Sequence, residues 1–216
     1  ESGSITMTTG DSALNQAGDI IVANGKTNDN AASGADILMT AGQSATTTGG
    51  KVTISSGEGQ ASSSGTLTIR THDAGTNGVS GNGNFVTGRG TKTTSGTISV
   101  SSGQGLGISE QFVESGDTNI STGQATSSSG DINISTGKST GKKSGKISLA
   151  VGNSFSGQGN VINLTAGHTT DSNKAGGSIS LLSGATTTGI SGKISMKTAD
   201  ATAATGSGTG AIDIAS

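Results

Sequence analysis

The sequence predicts an all-β fold: a parallel β-solenoid, or β-helix, of about 14 short coils, mostly about 15 residues each, with a flattened, two-sided cross-section. Three observations predict it. One short unit recurs along the whole chain, its apolar residues are spaced by two, and glycines bracket each apolar stretch.

The unit reads Gly, a variable residue, an apolar residue, a small polar one, a second apolar residue, two small residues and then usually Gly. Its first apolar positions are Ile5, Ile20, Ile37, Val52, Leu67, Ile98, Ile132, Ile147, Ile162, Ile179, Ile194 and Ile212. Each is followed two residues later by a partner such as Met7, Val22, Met39, Ile54 or Leu149. Two further units are degenerate, with Phe85/Thr87 and Thr118/Ile120 in these places. Successive first positions lie about 13 to 20 residues apart, most often about 15. A spacing of two is the period of a strand with one buried face, so each unit supplies one short strand and the first positions form a core ladder. The glycines permit turns at positive φ, and Ser/Thr/Ala-rich arcs such as Gln124–Ser129 return the chain to the next coil. Antiparallel hairpins are disfavoured because these arcs are too weakly apolar to act as partner strands. Stacked in register at about 4.7 to 4.8 Å per coil, the units would build a rod on the order of 65 Å long.

Composition explains why the unit must repeat. The chain has 216 residues, of which 39 are glycine, and about a third are Ser or Thr. It has no Pro, Cys, Trp or Tyr, and only three Phe, so a core of large interdigitating side chains is excluded. Disorder is the competing expectation for such low hydrophobicity. The low net charge of −2 and the strong repeat argue against it. Two apolar side chains cannot order a coil of this length alone, so stability has to come from neighbouring coils. Neither end carries a visible cap, and open strand edges would pair with more of the same chain.

The chain reads as one segment, 1–216, of a longer or polymerised polypeptide, since it opens directly on a repeat at Glu1. The stretch 104–114 is too long for a regular return and is expected to protrude. Its apolar residues Leu106, Ile108, Phe112 and Val113 either cover the solenoid side or make a lateral contact between protomers.

Chemistry-bearing constellations are sparse. The positions between the apolar pair include Asn119, Asn133 and Asn163, which would stack as a polar ladder. The same three open Asn-x-Ser/Thr sequons and are candidate glycan acceptors, although coil spacing would crowd glycans on Asn119 and Asn133. Asp19, Asp36 and Lys51, then Asp117, Asp131 and Lys146, precede successive apolar pairs and read as an exposed charge ladder rather than a calcium site. His72 and His168 lie in turns and have no recognisable catalytic partners. The basic cluster Lys138, Lys142, Lys143 and Lys146 has no interleaved aromatics, which argues against nucleic-acid binding. Threonine pairs such as Thr6/Thr8 are too irregular along the chain for a uniform ice-binding face. No cofactor is expected, no membrane span is visible, and an enzymatic role is not expected.

The motif Ser-Gly-x-Ile-x-Ile/Val-Ser-Thr/Ser-Gly, at Ser129–Gly137 and Ser95–Gly103, resembles the Ser/Gly/Thr-rich solenoid repeats of protist and algal surface filaments, flagellar-hair or mastigoneme-like, and more distantly bacterial adhesins. The resemblance covers nearly the whole chain. It implies an extracellular or cell-surface structural subunit that gives stiffness and associates with itself, with glycans as further candidate partners. An adhesin stalk or ice-binding module is the alternative.

Overall fold

The computed structural model describes residues 3–28, 33–106, 113–155, 158–199 and 210–215. It divides into two compact units, Glu1–Ser115 and Gly116–Ser216. Among the described residues there is no helix and no β-strand. The parallel β-solenoid predicted from the repeat is therefore corrected: the chain is largely coil, and the described residues form no ladder and no two-sided β-helix cross-section.

The physical reason lies in how little each repeat can bury. The chain exposes 22121 Å². A compact monomer of its mass, 20.6 kDa, would expose about 8,900 Å² and the extended chain about 30,000 Å². No described residue is buried, apolar or polar. The alternation that reads as a half-buried strand needs a second surface to cover its apolar face. A return arc of Ser, Thr, Gly and Ala does not provide one, so the backbone of the apolar stretches stays outside any ladder.

What the structure does build is a succession of closed loops. The amide of Gly50 donates to the Gly42 carbonyl at 2.8 Å, Gly65 to Gly57 at 2.9 Å, Gly177 to Gly167 at 2.9 Å and Gly192 to Gly184 at 2.9 Å. Each of these necks begins just after an apolar pair and ends two residues before the next one. Where a glycine-to-glycine bond is absent, the glycine two residues before the next apolar pair still approaches the preceding stretch. A Cβ on Gly96 would lie 3.4 Å from Thr87 Cγ2, and one on Gly145 would lie 3.3 Å from Thr136 Cγ2. The loops thus recur in both units, with ends together in the manner of small Ω-loops.

The glycines act here through their size. None of those whose surroundings are described has φ in the left-handed region, contrary to the expectation of turns at positive φ. At Gly177 a Cβ would stand 3.0 Å from the Gly167 nitrogen, and at Gly105 it would stand 2.6 Å from the Val113 carbonyl oxygen. Only a residue without a side chain lets the two backbones come that close.

Hydroxyl groups shape the loop tips. The amide of Thr47 donates to Ser44 Oγ at 3.0 Å, Asn15 to Ser12 Oγ at 3.0 Å, Lys142 to Ser139 Oγ at 3.2 Å and Gly189 to Thr186 Oγ1 at 3.2 Å. All four span three residues, the reach at which a Ser or Thr side chain substitutes for a backbone turn. The Ser/Thr content is thus put to local use.

Candidate functional site

The first apolar positions share one environment. Ile20, Ile98, Ile132, Ile147, Ile162, Ile179, Ile194 and Ile212 each keep a little over half of their surface open. Ile37, Val52 and Leu67 behave alike, whereas Ile5 is almost fully open. These residues therefore recur along the chain as half-covered apolar points, where the sequence predicts a closed core ladder. Most of their partners two residues on are more open still, as Ile134 at 70% against Ile132 at 51%, the exceptions being Ile54 and Met7.

Asn119, Asn133 and Asn163 are exposed, and none makes a hydrogen bond among the described residues. Of the expected lateral cluster, Leu106 and Val113 are exposed, while Ile108 and Phe112 lie outside the described residues. No group of three or more His, Asp or Glu among the described residues is arranged to hold a metal ion. No helix of the described residues is long and apolar enough to cross a membrane.

A cleft in Glu1–Ser115 forms at an irregular loop. After the pair Leu67/Ile69 the chain runs through Arg70 and Thr71 into a tight turn, in which the Gly78 amide donates to the Gly75 carbonyl at 3.3 Å. It closes again where a Cβ on Gly81 would lie 3.6 Å from Thr71 Cγ2. That neck sets the incoming stretch Ile69–Thr71 beside the outgoing stretch Asn82–Phe85. Between them lies an open cleft of about 370 Å³, lined by Ile69, Arg70, Thr71, Asn82, Gly83, Asn84 and Phe85.

Sequence reasoning places Phe85 in a degenerate core position and gives Arg70 no role. The signal was nevertheless present. Arg70 follows the second apolar residue of its unit, where most units carry Ser, Thr or Ala, and Phe85 stands where the others have Ile, Val or Leu. The structure brings these two departures from the repeat to one place.

No protein-family model, no curated protein sequence and no solved structure matches this chain. What it does must therefore be argued from its own residues.

Proposed function

We propose that the chain is a non-enzymatic structural subunit of an extracellular filament or surface appendage, and that its principal partner is another copy of itself. The observation that carries this reading is the regular recurrence of exposed apolar pairs, such as Ile132/Ile134 and Ile147/Leu149, through both units. Apolar surface left open at recurring positions gains free energy when covered, at roughly 25 cal/mol per Å². A second copy presents the same pairs at the same interval, so each contact made between two copies can be repeated along them. The small polar residues between the pairs keep the monomer soluble, and the net charge of −2 opposes association only weakly. The motif resemblance to protist and algal surface filaments supports the extracellular placement.

Sedimentation velocity of the full chain over a range of concentrations, with negative-stain electron microscopy of the same samples, tests the reading. Elongated assemblies that grow with concentration support it. A chain that remains monomeric at the highest soluble concentration overturns it.

A further inference from the structure

We propose that the cleft at the 71–81 loop binds an acidic sugar unit, a uronate ring of a polysaccharide or glycan. The proposal stands apart from self-association, because it uses residues that the regular repeat does not contain.

The cleft gathers three kinds of group suited to such a ligand. Arg70 is one of only two arginines in the chain, and it has no ion pair or hydrogen bond among the described residues. Its planar guanidinium presents paired donors that match a carboxylate. Asn82 and Asn84 each carry an amide that both donates and accepts, which suits the hydroxyl groups of a sugar ring. Phe85 supplies an aromatic face in a chain that has three Phe and no Trp or Tyr. All four line one cleft. Its volume of about 370 Å³ lies near the lower end of the range for small-ligand sites, about 300–1,000 Å³.

The position of these residues in the repeat adds weight. Most regular units offer Ser, Thr or Ala after the second apolar residue, with Leu182 and Lys197 the other departures, and an aliphatic residue at the first. This loop combines a cation, two amides and an aromatic ring across one neck. A neutral sugar would leave the guanidinium unused, and a bare anion would leave Phe85 and the amides unused. An acidic ring engages all of them.

The test is a titration of the isotopically labelled full chain with D-glucuronate, followed by amide chemical shifts, with D-glucose and acetate as parallel probes. Saturable shifts confined to residues 69–71 and 82–85 are expected for glucuronate, with glucose and acetate at least about tenfold weaker. R70Q should weaken glucuronate binding by about tenfold or more and F85L by a smaller factor, while R89Q leaves it unchanged. The proposal is overturned if acetate matches glucuronate, if the shifts do not saturate or are spread over the chain, or if R70Q binds as the parent does.

Discussion

The amide of Gly50 donates to the carbonyl of Gly42 at 2.8 Å, and a Cβ on Gly50 would stand 3.2 Å from the Gly42 nitrogen and 3.3 Å from Ala41 Cβ. The bond and the missing side chain belong together, because the neck closes only while both backbones can approach. Gly50→Val should therefore open the 42–50 loop. A typical hydrogen bond contributes about 0.5–1.5 kcal/mol, so hydrogen exchange at the residue 50 amide should accelerate by about two- to tenfold. An exchange rate equal to that of the parent would show that the neck does not depend on the glycine.

The tip of the same loop depends on a hydroxyl. Ser44 Oγ accepts from the Thr47 amide at 3.0 Å and shares a 2.8 Å hydrogen bond with Thr47 Oγ1. Ser44→Ala removes both and should speed exchange of the Thr47 amide by a few-fold. Ser44→Thr retains a hydroxyl and should restore most of the protection. Ser139→Ala offers an independent check at the Lys142 amide, 3.2 Å from its acceptor.

The absence of strands among the described residues has a spectroscopic counterpart. Far-ultraviolet circular dichroism of the dilute, monomeric chain should lack the minimum of β-structure. A strong strand spectrum from a sample shown to be monomeric would reinstate the ladder that the structure lacks.

Self-association should respond to the apolar pairs far more than to salt. Ile132→Asp together with Ile147→Asp places charge at two half-covered apolar positions. Fully burying one such side chain contributes roughly 1.5–3 kcal/mol, so the concentration at which assemblies appear in sedimentation velocity should rise by about tenfold or more. Raising ionic strength from about 0.05 to about 0.5 M should change it by only a few-fold, because exposed ion pairs contribute about 0–1 kcal/mol each. A large salt effect with a small effect of the double variant would transfer the interaction to Asp19, Asp36, Lys51 and their counterparts.

The interval of the repeat is legible in the sequence because it is written in the spacing of residues such as Val52, Leu67 and Ile98. Strand formation is not legible in the same way. Alternation at Val52/Ile54 shows which face would be buried, but burial requires a covering surface, and one apolar pair per unit leaves that unspecified. The sequence predicts conformational freedom as the role of glycine, whereas the contacts at Gly105 and Gly177 show that its lack of bulk is what the necks use. The cleft is not legible in the sequence for a different reason. Arg70 and Phe85 are 15 residues apart in sequence, and only the neck between Thr71 and Gly81 makes them neighbours.

Closed necks also give the chain a mechanical reserve. The loop from Gly42 to Gly50 withholds eight residues of contour behind a single glycine-to-glycine hydrogen bond, and pulling it straight would release on the order of 25 Å. The same arrangement recurs at 57–65, 167–177 and 184–192. Under tension such loops would open one after another, each dissipating a little work, and would re-form when the load is removed, so the chain would stretch well before any covalent bond is strained.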